Sequence, residues 1–446
     1  MSAATGDMQA FCWYVRLCKA PPVVAINEND WFPPKPADKT VAPQPCGKTV
    51  NVVHYSDWHI VTLDPRFDIG SEANCTTGLC YRFDSKNAAL GTTSFDPSVP
   101  ASRFGDLLCD SPPDLALSAL ADMRQNIDLS TVPFAIFTGD IVSHDQTDQA
   151  SRALTEYEET VAYQTFKAQL GDVPLYATLG NHDSWPSGFN TPNSFTNGTD
   201  LFSWNYKLLS SLWQQQGWLD GSEAQYAASH YGAYAHTTKD GLRIISINSD
   251  FWYTPNIFNY YNYTNPDKSG ILRFLTTELL TAEAADQRVW IIGHVPSGGS
   301  SAIATPSALF HSIVARFSSA TIAGLFLATL TKMVDATTFS IMNGQVRFAS
   351  ISNSLSWSTE PEWQFEYDIR QTYDPNSTWP STAPLNATFW DQVTREMTVD
   401  SALIERYLFL ATKQSVKTPS CTGACLAKSI CGIRSSNRAV NEDCNA

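Results

Sequence analysis

Positive charge is scarce in this sequence. Against 44 Asp and Glu there are only 29 Lys and Arg, a formal net charge of -15. Phosphate backbones need basic patches, so the balance counts against nucleic acid as a partner. Charge of either sign is sparse, 16% of the 446 residues, while hydrophobic residues reach 43% and aromatics 12%. That mix excludes a disordered chain and supplies a sizeable core. No apolar run approaches the ~20 residues needed to span a bilayer, and the opening Met1–Asp7 lacks the apolar stretch of a secretion signal. Internal repeats and low-complexity tracts are absent as well.

Cysteine is missing from the middle of the chain. All ten lie at or before Cys109 or from Cys421 onward, which reads as stapling of peripheral segments in an oxidising compartment. The alternative of a zinc finger lacks a C-x2-C pair or a nearby His pair. Five N-glycosylation sequons, beginning at Asn74, Asn197, Asn262, Asn376 and Asn386, point the same way. Together these predict a protein that is secreted or resides in a lysosome or vacuole lumen, with an incomplete N-terminus in this chain.

Short apolar runs recur from Val50 onward, and each ends in polar residues. Strands are predicted at 50–55, 132–137, 173–178, 242–247 and 289–292, separated by helical patterns such as 147–170 and 271–286. This alternation predicts an α/β fold whose chemistry gathers past the carboxyl ends of the strands. A proline-rich segment, 21–48, reads as an extended linker. Residues 383–415 read as helical, with Leu385, Phe389, Val393, Met397, Leu403 and Tyr407 as the buried stripe. The aromatic groups Phe251-Trp252-Tyr253 and Tyr260-Tyr261 either line a lipid-facing surface or, as is commoner, fill the core.

The polar residues behind those strands are metal-ligand types. The first strand leads into Ser56-Asp57-Trp58-His59, the second into Thr138-Gly139-Asp140 and then His144. The third leads into Gly180-Asn181-His182-Asp183, and a later one into Gly293-His294. Alternation along a strand end allows Asp57 and His59 to face one side. A lone D-x-H or G-D is weak evidence; four such groups in this order, each behind an apolar strand, form a strong signal. His54, His230, His236 and His311 fit structural or surface roles better.

Over about 50–375 these motifs resemble the calcineurin-like metallophosphoesterases, and among them the acid sphingomyelinase-like branch. That branch is suggested by Gly70-Ser71-Glu72-Ala73-Asn74-Cys75 with Cys80 and Arg82, by His144 four residues after Asp140, and by the tail spacing C-x3-C-x5-C-x12-C. The resemblance implies a two-sheet sandwich flanked by helices as a catalytic domain over 49–375, with a disulfide-bonded, cysteine-rich helical domain over 376–446. It implies Cys421–Cys425 and Cys431–Cys444 bridges. Cys12-x5-Cys18 before Pro21-Pro22 is similar to the end of a saposin-like domain, which makes 1–20 a remnant with cysteine partners expected upstream; a local Cys12–Cys18 bridge is the alternative.

The same resemblance implies two zinc ions. Asp57 and His59 belong to one, Asn181 and His294 to the other, and Asp140 bridges both. His144 and His182 become the candidate proton donors, with Asp183 orienting His182. A sphingolipid or other phosphodiester is the implied substrate, met at a membrane surface through the lipid; oligomeric state stays open. Hydrolysis of sphingomyelin to ceramide and phosphocholine is the leading activity. The alternatives are a phosphodiesterase for nucleotides or other phosphate esters, and a non-catalytic glycoprotein.

One family motif is absent. Relatives carry a GHTH-type sequence after a further strand, whereas Thr329 and Thr331 stand at its histidine positions, and threonine is a poor zinc ligand. Tyr81 likewise stands where relatives carry a cysteine, which leaves Cys109 with Cys46 as a candidate partner. A frame change accounts for the missing histidines. The string TTTGGCCACACTCACAAAGATG encodes Phe-Gly-His-Thr-His-Lys-Asp from its first base. From its second base it encodes Leu-Ala-Thr-Leu-Thr-Lys-Met, the residues found from Leu327 to Met333.

Overall fold

The computed structural model describes residues 6–44, 49–60, 104, 110–145, 150–195, 201–318, 320–327, 345–350, 362–374, 376–381, 383, 385, 387–411 and 420–434. Nine strands occur among them: β1 (Val53–Tyr55), β2 (Ala135–Phe137), β3 (Leu175–Ala177), β4 (Tyr234–Thr237), β5 (Arg243–Ser246), β6 (Val289–Gly293), β7 (Ile322–Leu327), β8 (Gln345–Ser350) and β9 (Glu362–Asp368). The predicted α/β alternation is present, with shorter strands than the apolar runs suggest. The chain divides into two compact units, one of Met1–Cys46, Tyr176–Leu330 and Ala427–Ala446, the other of Gly47–Leu175 and Thr331–Leu426.

In the unit that begins at Gly47, β1 and β2 pair in parallel, Val53 opposite Ala135 and Tyr55 opposite Phe137. Ala135 N also donates to Pro174 O at 2.8 Å. All three β2 side chains are buried, as a strand covered on both faces requires. The helices Pro113–Asn126 and Arg152–Leu170 pack together. The second begins on Ser151, whose hydroxyl accepts from Leu154 N, and it buries Phe166 against Trp58 at 4.2 Å and Phe137 at 5.2 Å. β8 and β9 form an antiparallel pair.

The predicted helical span 383–415 is two helices, Ala387–Glu396 and Ser401–Ala411. Phe389, Val393 and Met397 are buried as expected, but the second helix buries Ile404 and Leu410 rather than Leu403 and Tyr407. The turn over 397–400 resets the helical phase. Cys421 and Cys425 are bonded, Cα atoms 5.3 Å apart, as the resemblance implies. Cys431 is also disulfide-bonded; Cys444 lies outside the described residues.

The other unit carries the mixed sheet β4-β5-β6-β7. β4 runs antiparallel to β5, and β5, β6 and β7 are parallel, with Ile245 opposite Ile291 and Ile291 opposite Leu325. The helices Ile271–Ala284 and Ala304–Phe317 pack together, as do Ser203–Gln215 and Gly221–Ser229. Phe251, Trp252 and Tyr260 are buried, so the core reading holds for those three aromatics.

The N-terminal segment packs onto this same unit. In the helix Asp7–Tyr14, Ala10 is buried with Tyr260, Tyr263 and Ile303, and the Asp7 carboxylate accepts from Tyr263 N at 3.0 Å. The helix ends in a reversal through Arg16, φ 62°, which brings the Cα atoms of Cys12 and Cys18 to 5.3 Å, and the two are bonded. The expectation of upstream cysteine partners is therefore corrected in favour of the local bridge. Nor does the proline-rich stretch run free. Arg316 donates to the carbonyls of Pro33 (2.7 Å) and Pro34 (3.3 Å), and Arg273 to that of Asp30 (2.9 Å). No helix among the described residues is long and apolar enough to cross a membrane.

Candidate functional site

In the unit that begins at Gly47, candidate ligands sit in the two turns that follow β1 and β2. Their direction comes from left-handed backbone rather than from strand pleat: Asp57, His59 and Asp140 have φ of 54°, 38° and 63°. Such conformations cost on the order of 1–3 kcal/mol each and persist only when their surroundings hold them. Here the parallel pairing continues past the strands. Asp57 N donates to Gly139 O (2.9 Å), Trp58 N to Asp140 O (2.7 Å) and Ile60 N to Ile141 O (2.7 Å). Buried Trp58 pins the first turn against Phe166.

Asp57 and Asp140, both buried, bring carboxylate oxygens within 4.8 Å of each other. His59 Nδ1 lies 2.8 Å from Val142 O. A carbonyl only accepts, so Nδ1 carries the proton and a neutral ring leaves its lone pair on Nε2. That atom faces Asp140 Oδ2 at 3.4 Å. Burial, with the charge of His144 beside it, pushes the His59 pKa down to about 4 despite the Asp140 and Asp110 carboxylates. Two lone-pair atoms thus confront each other with no proton favoured between them. A divalent cation resolves that arrangement, and carboxylate plus imidazole is a donor set for zinc, manganese or iron.

His144 stacks on His59, ring centroids 3.9 Å apart. Its backbone N and its Nδ1 each lie 2.7 Å from the buried Asp110 carboxylate. Burial pulls the His144 pKa down, but the Asp110 charge and hydrogen bond outweigh it and leave it raised. Asp110 was not legible as a site residue: it precedes Ser111-Pro112-Pro113 at a helix entry, and no spacing ties it to His144.

In the other unit, Asn181, His182 and Asp183 share the turn after β3. Asn181 is 1% exposed, and its Oδ1 is buried with no hydrogen-bond partner among the described residues, which suits a cation ligand. Asp183 Oδ2 accepts from Gly180 N at 2.8 Å, and Ser187 Oγ lies 3.2 Å from His182 Nδ1. Fully buried His294 follows β6. Gly293 before it sits in tight space: a Cβ there would meet Leu327 Cδ2 at 2.8 Å and Ile247 Cγ1 at 3.3 Å, so the Leu327 side chain would have to shift. Ser249, also unforeseen, accepts from the backbone N of His294 (3.2 Å) and Val295 (2.7 Å). Thr329 and Thr331 lie outside the described residues, as do Cys46, Cys75, Cys80, Tyr81, Arg82 and Cys109.

Comparison with known proteins supplies a family for the chain. A calcineurin-like phosphoesterase family model matches residues 50–316. Sphingomyelin phosphodiesterase 2 of Caenorhabditis elegans is 25% identical over 417 residues, covering 81% of this chain and 64% of its own length. Sphingomyelin phosphodiesterase of Bos taurus is 28% identical over 411 residues, 81% and 61%. A human cyclic GMP-AMP phosphodiesterase is 31% identical over 245 residues, 54% and 48%. The chain thus spans about three-fifths of the length of the first two relatives. With the family model covering more than half of the chain, it belongs to the calcineurin-like phosphoesterases, a family whose members use divalent metal.

Proposed function

We propose that the chain is a zinc-dependent sphingomyelin phosphodiesterase that releases ceramide and phosphocholine. The observation that carries the metal part is the His59 Nε2 lone pair set against the Asp140 carboxylate. The substrate part is supported by the activity named for the relatives that cover four-fifths of the chain. In this reading Asp57, His59, Asp140, Asn181 and His294 hold two zinc ions. When bound, such cations supply Lewis-acid charge to the phosphodiester and make water a stronger acid. His144 keeps its Nδ1 proton toward Asp110, so Nε2 is the atom that holds or gives a proton. His182, with Nδ1 beside Ser187, offers Nε2 in the same way. Either protonates the ceramide oxygen as its bond to phosphorus breaks. Paired cysteines support an oxidising lumen or the cell exterior as the place of action.

The test is zinc content of the purified chain together with hydrolysis of sphingomyelin in mixed micelles, read as phosphocholine release. Absence of both bound zinc and release refutes the proposal. A nucleotide phosphodiesterase is the second reading, favoured by the 31% identity to the cyclic GMP-AMP enzyme; hydrolysis of that dinucleotide with no phosphocholine release establishes it instead. The missing histidine pair belongs to the same proposal: Leu327 to Met333 is the family motif read one base out of frame. The alternative is true loss of the histidines in a catalytically impaired glycoprotein. Transcript sequencing across 320–365 decides, and a confirmed reading of Leu327–Met333 with no second-frame product sinks the frame change.

A further inference from the structure

Beneath Asp57 runs a line of side-chain hydrogen bonds that the catalytic reading does not use. Ser56 Oγ donates to Asp57 Oδ2. Thr138 Oγ1 lies 2.7 Å from Ser56 Oγ, and His54 Nε2 lies 2.9 Å from Thr138 Oγ1. Ser56 is buried and Thr138 is fully so. The direction of every link follows from the carboxylate end. An ionised carboxylate only accepts, so the single Ser56 hydrogen points at Asp57. The Ser56–Thr138 contact must then use the Thr138 hydrogen, for which the Tyr55 carbonyl at 3.4 Å is a long rival. With that hydrogen spent, the His54–Thr138 contact requires a hydrogen on His54 Nε2.

We propose that His54, Thr138 and Ser56 form a one-way donor relay that positions Asp57 for its cation, with His54 fixed as the Nε2–H tautomer. The relay engages Oδ2, and it holds the carboxylate plane at a residue whose backbone is left-handed. Hydrogen bonds in series polarise one another, so the far histidine contributes to the charge borne at Asp57. None of the three touches substrate; they are positioning residues. The inference rests on the proposed role of Asp57 as a metal ligand.

Two measurements on the full chain test it. Histidine-labelled nitrogen–proton correlation spectra of the metal-free protein report the tautomer without any activity, and an Nδ1–H pattern for His54 overturns the relay. The second measurement is zinc affinity by chelator competition, in wild type and in T138V, T138S and H54L. Loss of an outer partner of a ligand typically weakens metal binding by roughly 10–100-fold. T138V and H54L are expected within that range, and T138S, which keeps the hydroxyl, within about threefold of wild type. T138V binding as tightly as wild type overturns the relay alone, as does T138S failing like T138V, since that would mark lost packing. Wild type that binds no zinc overturns the ligand role of Asp57 and the relay together.

Discussion

Replacing Arg316 by Met tests the way the proline-rich segment is held. The guanidinium forms a two-pronged pair with Glu283, 2.8 and 2.9 Å, and both side chains are nearly inaccessible, at 5% and 9% exposure. It also donates to Pro33 O and lies over the Phe317 ring at 4.5 Å. Methionine keeps most of the volume and removes every donor. An unpartnered carboxylate is then left in a buried place, and breaking such a pair costs roughly 3–5 kcal/mol. The lost bonds to Pro33 and Pro34 fall within the same figure, because they share one cation and do not add independently. Equilibrium urea unfolding followed by tryptophan fluorescence measures the loss. Limited proteolysis should show faster cleavage within 21–44. The double variant R316M/E283L should recover most of the stability, since replacing both charges by apolar groups removes the stranded carboxylate. R316M within about 1 kcal/mol of wild type would refute the reasoning, as would a double variant no more stable than the single one.

Three further outcomes are expected. D140N should lose metal, read by elemental analysis, because in the proposed site this carboxylate serves both ions. H182Q should keep its metal while turnover falls by roughly 10²–10⁴; zinc lost along with turnover would make His182 a ligand instead of an acid. Lys268, half-buried with Nζ 2.6 Å from Asn259 O, has its pKa pushed down to about 8 by burial, with Asp7 and Asp267 opposing. A lysine whose folded pKa lies below its unfolded one destabilises while charged, so wild type should gain on K268M, on the order of 3 kcal/mol, as pH rises from about 8 to 10.5; a difference flat with pH would refute the assignment.

Strands β1, β2, β3, β5 and β6 were legible because short apolar runs with polar ends recur through the chain, whereas β4, β8 and β9 gave no such signal. Their lengths were not: the run 50–55 yields only Val53–Tyr55 as strand. What sequence reading could not supply was the choice of partner. Cys12 and Cys18 illustrate the limit, since the spacing alone allowed both a local bridge and upstream partners. The decisive feature was the reversal at Arg16, a backbone property of one residue. The Asp183 carboxylate also accepts from Gly180 N within its own turn, a bond the sequence reading did not anticipate.

Apart from Asp110, the unforeseen residues share one geometric origin, which is the register of parallel strands carried past their ends. Val53 opposite Ala135 sets an offset of 82 residues between β1 and β2, and Ser56 meets Thr138 at that same offset. Ser246 opposite Ile292 sets an offset of 46 between β5 and β6, and Ser249 meets Val295 at that offset. In a parallel pair both chains leave the sheet at the same edge and in the same direction, so the turns beyond run side by side. A hydroxyl one to three residues past one strand then reaches the ligand turn past its neighbour. Positioning residues of this kind become readable once a single strand pairing is known. His54 follows by one further step: it sits on β1 opposite Ile136, and its imidazole is long enough to reach forward to Thr138, which a β-branched residue in its place is not.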